Sequence, residues 1–302
     1  MLRRWGFFFL TNILILVTIS FVTSLFGFNR YITGSGLNMS ALLGFCLVWG
    51  MAGSFISLLL SRFMAKKMMG VEVIDPNNPG QFSWLVSSIH SLSKQAKLPA
   101  MPEVGVYQSP ELNAFATGPS KSKSLVAVST GLLSSMSRDE LEGVLAHEIA
   151  HIQNGDMVTM TLLQGIINAT VMFLARIIAY GISVALSSRN NSNDDSPAIG
   201  HGFLNGIIVF VLEIFLSILG SMVVCYFSRT REFKADAGSA TLAGKDKMIA
   251  ALKALQARFE PIDTEHKSLA TMKIAGSGRW ELFSTHPSLE SRIQALQGTA
   301  GR

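Results

Sequence analysis

No charged side chain interrupts the chain from Trp5 to Asn29, and none from Tyr31 to Ser61. A bilayer-spanning helix needs about 20 apolar residues. The first run is too long for the apolar segment of a cleaved signal and is not followed by an evident small-residue cleavage site. A Gly/Ser/Thr break at Thr33–Gly36 divides the two, so the spacing predicts helices over 5–27 and 38–60 joined by a short loop. Two more apolar stretches, 158–187 and 201–227, flank the polar segment Ser188–Pro197, which reads as a loop between antiparallel helices. Only 15% of the 302 residues are charged, against about 25% in ordinary soluble domains, and the deficit is concentrated in these four stretches.

Basic residues set an expected orientation. Arg3 and Arg4 precede the first stretch, Arg62, Lys66 and Lys67 follow the second, and Arg229, Arg231 and Lys234 follow the fourth. The intervening loops carry one basic residue each, Arg30 and Arg189. The positive-inside rule then places both termini and residues 62–156 in the cytoplasm. The net charge of +5 is modest and comes with no nucleic-acid motif, so nucleic acid is not an expected partner. Cys46 and Cys225 lie far apart in apolar stretches and read as small buried hydrophobes.

The expected organisation is a transmembrane hairpin over 1–61, the first part of a polar domain over 62–156, a second hairpin over 157–228, and the rest of that polar domain over 229–302. In the first polar region, Phe82, Leu85, Ile89 and Leu92 mark one face of an amphipathic helix within 81–97. Short β-like runs follow at 103–107, 113–117 and 125–129. Ser137 and Glu140 have capping-box spacing, which predicts a helix beginning at Arg138. In the second region, 245–259 and 288–297 read as helices. The fold class is mainly α-helical: four membrane helices and a cytoplasmic domain with a small β-sheet, zincin-like because it carries an H-E-x-x-H pattern at 147–151.

The helix expected from Arg138 carries His147-Glu148-Ile149-Ala150-His151. Residues four apart share a helix face, so His147 and His151 can offer two imidazoles to one zinc ion, and Glu148 stands beside the metal where a general base is needed. The bland alternative is an ordinary helix with two surface histidines, but two of the chain's six histidines fall here at ligand spacing. Only Gln153–Asp156 separates this helix from the next apolar stretch, so it is expected to run on into that stretch. A catalytic zinc needs a third protein ligand. Glu232 in Arg231-Glu232-Phe233-Lys234-Ala235-Asp236 is the candidate, with Asp236 one turn on to accept an imidazole N–H, that of His147. Taken alone, the two carboxylates read better as part of a solvated charged face with Arg229, Arg231 and Lys234.

H-E-x-x-H followed at a distance by E-x-x-A-D, among membrane spans, resembles the HtpX-type membrane zinc metalloproteases, a family that also includes the CAAX prenyl endoproteases. The resemblance covers essentially the whole chain. It implies one zinc ion per chain, with Glu232 as the third ligand and Asp236 behind an imidazole. It implies that His286, in Ser284-Thr285-His286-Pro287, helps stabilise the oxyanion or orient substrate, and that Arg292 holds the site's carboxylates in place. A helix-start role is as good a reading for His286. Asn113–Gly118 resembles the family's edge strand above the zinc, making Asn113 and Ala114 candidates for substrate contact, although a routine sheet strand is an equal reading. The resemblance further implies quality-control cleavage of misfolded membrane proteins in a bacterial inner membrane, as a stress response. Two rivals are a prenyl-protein processing protease, which should show more spans around a large chamber, and a non-catalytic zinc-binding membrane scaffold.

Arg176 and Glu213 fall inside the third and fourth stretches, at similar distances from the loop between them. An ionisable residue in a span usually faces protein or water and pairs. The expectation is an ion pair that fixes helix register; the alternative is that both line a wet path to the zinc.

Overall fold

The computed structural model describes residues 32–33, 36–189, 199–259 and 284–298. The expected span over 5–27 and most of the 188–197 loop lie outside them. The chain divides into two units, one of Met1–Ser57 with Thr161–Val224, the other of Leu58–Met160 with Cys225–Arg302.

The first unit is built on the apolar portions of three long helices, α1 (Met39–Met68), α5 (Asp156–Arg189) and α6 (Ile199–Leu242), whose polar ends belong to the second. None of the nine prolines falls within them. Uninterrupted helix is what an apolar sequence must form in lipid, because it satisfies every backbone polar group within the segment. Among the described residues, these three helices are long and apolar enough to cross a membrane. Ahead of α1, Ile32–Thr33 (β1) and Gly36–Leu37 (β2) pair antiparallel, a small hairpin where a plain loop was expected.

Small residues let these helices approach closely. A Cβ on Gly50 of α1 would stand 2.5 Å from the Ala169 nitrogen of α5, and one on Gly220 of α6 would stand 2.6 Å from Ile167 Cγ2. Such contacts matter in lipid, where helices gain nothing from hiding apolar surface from water. Arg176 Nη1 lies 2.6 Å from Glu213 Oε1, and its guanidinium sits 5.3 Å from the centre of the Phe45 ring. One side chain of α5 thereby meets α6 and α1.

The second unit holds a four-stranded sheet of β3 (Glu72–Val73), β4 (Glu103–Tyr107), β5 (Ala114–Ser120) and β6 (Lys123–Ser129) in the order β3-β4-β6-β5. Strands β4 and β6 are parallel and the other pairs antiparallel. Helix α2 (Ser83–Gln95) lies within the expected 81–97, behind a 3-10 turn at Gly80–Phe82. Its Leu85, Ile89 and Leu92 pack with Val104, Val126 and Val128 of the sheet and with Leu145, Ile149 and Ile152 of α4 (Arg138–Asn154). A short α3 (Thr130–Ser135) precedes α4.

Helix α4 starts at Arg138. Ser137 Oγ accepts from the Glu140 amide and Glu140 Oε2 accepts from the Ser137 amide, both halves of a capping box. Its end corrects an expectation: α4 does not run on into the apolar stretch. It stops at Asn154, and Gly155 takes a left-handed conformation (φ 75°) that only glycine adopts without strain, before α5 begins at Asp156.

Glycine also sets how α4 is packed. A Cβ on Gly143 would lie 2.6 Å from the Lys247 carbonyl of α7 (Lys245–Phe259), and one on Gly238 of α6 would lie 2.7 Å from Ala150 Cβ. Ser239 Oγ donates to the Gly143 carbonyl at 2.9 Å. The polar end of α6 is thereby pressed against α4. Helix α8 (Leu289–Gln297), capped by Ser288, packs on α7 through Ile293, Met248 and Leu252.

Candidate active site

His147 and His151 are one turn apart on α4, and their rings stand edge to face with centroids 4.6 Å apart. The two Nε2 atoms are 3.1 Å apart. Close packing of α6 on α4 brings Glu232 to the same point: Oε1 lies 3.3 Å from His151 Nε2, and Oε2 lies 3.6 Å from His147 Nε2. Donors about 2.0–2.1 Å from a tetrahedral zinc ion are separated by about 3.3 Å, and these three distances bracket that value. Glu232 Oε2 is buried and has charged neighbours but no well-directed hydrogen bond. Two imidazole nitrogens and a carboxylate converging on one point suit a single divalent ion.

A carboxylate stands behind each imidazole. His147 Nδ1 lies 2.9 Å from Asp236 Oδ1, and His151 Nδ1 lies 2.6 Å from Asp156 Oδ2. Each carboxylate has an arginine behind it. Arg292 of α8 meets Asp236 at two points and also brings Nη1 to 3.2 Å from Glu232 Oε2; Arg231 pairs with Asp156 Oδ1. His286 is largely exposed, with Nδ1 3.0 Å from Glu232 Oε2. Its segment is held by Arg229, whose Nη1 donates to the Ser284 carbonyl at 2.7 Å.

Glu148 is half-buried on α4. Burial pushes its carboxyl above the ordinary range, against the pull of the two imidazoles and of a hydrogen bond from the Ala116 amide. Burial disfavours charge on His151, but hydrogen bonds to Asp156 and Glu232 outweigh it and push the ring up to about 10. Burial would likewise raise Glu232, yet the surrounding histidines hold it far below the usual carboxylate range.

Strand β5 is the last strand of its sheet. The Asn113 carbonyl accepts from the Ser129 amide at 2.9 Å and the Asn113 amide donates to Ser129 Oγ at 3.2 Å, so its backbone turns toward β6. Polar groups alternate sides along a strand, so Ala114 and Ala116 turn theirs to the outer edge. Of the two expected substrate-contact residues, Ala114 offers its backbone there, whereas Asn113 has its backbone engaged within the sheet.

Asp156, Arg231 and Ala116 are not legible from the motifs. The signal for Asp156 is faint: an Asp directly after a glycine that can turn the chain back at the end of the His-bearing helix. Ala116 needed the strand's parity, and Arg231 needed the packing of α6.

The pattern of Peptidase family M48 matches residues 79–300. The chain is 51% identical over 304 residues to a protease HtpX homolog of Bacillus pumilus, covering 98% of this chain and 99% of that protein. It is 50% identical over 306 residues to one of Bacillus subtilis, with the same coverage. Among solved structures, it superposes on the crystal structure of S. mikatae Ste24p with a TM-score of 0.61 at 20% identity, covering 98% of this chain and 67% of that one. That last likeness is one of fold.

Proposed function

The chain belongs to peptidase family M48 and is a membrane metalloprotease, and from that premise we propose that it hydrolyses peptide bonds with one zinc ion held by His147 Nε2, His151 Nε2 and Glu232. The observation that carries this reading is the convergence of these residues: the two Nε2 atoms are 3.1 Å apart, Glu232 Oε1 lies 3.3 Å from His151 Nε2, and Glu232 Oε2 lies 3.6 Å from His147 Nε2. A bound zinc ion supplies a Lewis acid that polarises a carbonyl and makes water a stronger acid.

The remaining chemistry belongs to the chain's own residues. Glu148 takes a proton from the attacking water onto its carboxylate and passes it to the departing amine nitrogen. The Ala116 amide orients the carboxylate. The outward backbone of Ala114 pairs with an extended substrate by strand addition, a mode that asks little of substrate sequence. His286, exposed beside Glu232, orients substrate or donates to the oxyanion developing on the scissile carbonyl. Asp236 and Arg292 hold His147 and Glu232 in place.

We place the site at the cytoplasmic face of a bacterial inner membrane, from the distribution of basic residues, and its substrates among misfolded membrane proteins, from the HtpX resemblance. The deciding experiment compares purified wild type with Glu148→Gln. Both should hold one zinc ion per chain, and only the wild type should cleave an unfolded polypeptide such as casein. Cleavage by Glu148→Gln at the wild-type rate would sink the assignment.

A further inference from the structure

His147 and Glu232 have partners that the sequence motifs point to; His151 does not. In the structure its Nδ1 faces Asp156 Oδ2 at 2.6 Å, and the other Asp156 oxygen pairs with Arg231. Asp156 opens α5, where an acidic residue is also favoured by the helix dipole. That role alone would leave the carboxylate facing water. Here both oxygens are engaged, and the Asp156 and Arg231 side chains are only 13% and 11% exposed. The left-handed turn at Gly155 is what folds Asp156 back over the end of α4 toward His151.

We propose that Asp156 and Arg231 are a positioning pair for His151. Asp156 accepts the Nδ1 hydrogen, which leaves the Nε2 lone pair directed at the metal position and makes the imidazole a stronger donor. Arg231, paired with the other Asp156 oxygen, holds that carboxylate in one orientation. Because Arg231 directly precedes Glu232, the pair also links the α4–α5 junction to the stretch of α6 that carries the third ligand. Each imidazole is then backed by its own Asp–Arg pair, Asp236 with Arg292 and Asp156 with Arg231. This inference rests on the proposed metal site, and its test separates the two.

The test uses the full chain in detergent, with zinc affinity read by chelator competition and ligand geometry by the visible spectrum of the cobalt-loaded protein. Asp156→Ala should weaken zinc binding by about 10- to 100-fold and shift the cobalt bands. Asp156→Asn, whose amide oxygen still accepts the Nδ1 hydrogen, should recover part of both. Arg231→Ala should weaken binding in the wild-type background and add nothing to Asp156→Ala. A merely structural pair would lower thermal stability without moving the cobalt bands. Should Asp156→Ala fail to fold, Asp156→Asn decides, with a several-fold loss and a band shift expected. Wild-type affinity and bands in the Asp156 variants, or full additivity with Arg231→Ala, would overturn the proposal while leaving the metal site standing. Unchanged zinc binding in His147→Ala would overturn both.

Discussion

Arg292 meets Asp236 at two points, Nε to Oδ2 at 2.8 Å and Nη2 to Oδ1 at 2.6 Å, with both side chains buried. The residues are 56 apart in sequence and join α8 to α6. A planar guanidinium can match a carboxylate at two points where an ammonium cannot. Arg292→Ala leaves Asp236 buried with half its partners, and breaking a buried pair from one side costs about 3–5 kcal/mol. Chemical unfolding in detergent should show a loss of that order, and Arg292→Lys should fold but cleave at least about tenfold more slowly, as expected for a weakened support of a metal ligand. Wild-type hydrolysis by Arg292→Lys would show that the two-point contact is not needed.

Metal removal should be reversible. Dialysis against a strong chelator is expected to abolish peptide hydrolysis, and one equivalent of zinc should restore it. Glu232→Gln should lower zinc affinity, because a neutral amide replaces the anionic donor that lies 3.3 Å from His151 Nε2. Metal analysis alongside the hydrolysis assay checks both points. Activity that survives complete zinc removal would contradict the donor assignment.

The turn at Gly155 makes a separate prediction. Its φ of 75° is left-handed, and a Cβ there would approach Lys121 Cε at 3.2 Å, the movable end of a long side chain. Backbone strain should therefore dominate. Gly155→Ala should cost about 1–2 kcal/mol, and Gly155→Asn less, since asparagine tolerates this conformation better. Thermal unfolding of the two variants should rank them in that order.

What could be read in advance follows from how local each signal is. The capping box at Ser137–Glu140 and the spacing of His147, Glu148 and His151 are set within a few residues, and helix geometry alone carries them into three dimensions. The three apolar helices are legible because lipid permits little else. Glu232 needed the family pattern, since nothing local distinguishes a ligand from a solvated carboxylate; the distinction is made by Gly238 and Ser239 pressing α6 against α4. The break at Gly155 is not legible in the sequence because a short polar interval is compatible with continuous helix, and the capping bonds that settle it form only in the folded chain. His286 and Arg292 likewise reach Glu232 from a distant stretch of sequence that no periodicity connects to it.

One ion pair outside the site gives a pH prediction. Glu103 of β4 faces Lys66, at 2.7 Å, and Arg62, both near the end of α1. Burial would raise its pKa, but the two cations win and hold it below 4.5. A depressed carboxylate contributes stability that is present above its unfolded pKa and lost as pH falls through the folded value. The thermal stability gap between wild type and Glu103→Gln should therefore be full near neutrality and shrink below pH 4.5. A gap that widens on acidification would reverse the sign and reject the pair as its cause.

The pair of Arg176 and Glu213, 2.6 Å apart between two apolar helices, tests what an ionised pair does in lipid. Removing one partner strands a charge in the span, at about 2.5–3.5 kcal/mol for a group at its centre. The two single variants should differ. In Glu213→Leu, Arg176 keeps its bond to the Met172 carbonyl at 3.0 Å and the Phe45 ring, whereas Arg176→Leu takes from Glu213 the cation that offsets its charge. Arg176→Leu is therefore expected to be the less stable in detergent and lipid bicelles, and Arg176→Leu/Glu213→Leu should recover most of the loss. If the pair only fixes helix register, the double variant should also hydrolyse peptides at close to the wild-type rate. If instead the two charges line a wet path to the metal, the double variant should be as stable as wild type yet slow. Stability and turnover measured on the same three proteins therefore separate a structural pair from a functional one, since only the functional reading lets the two quantities part.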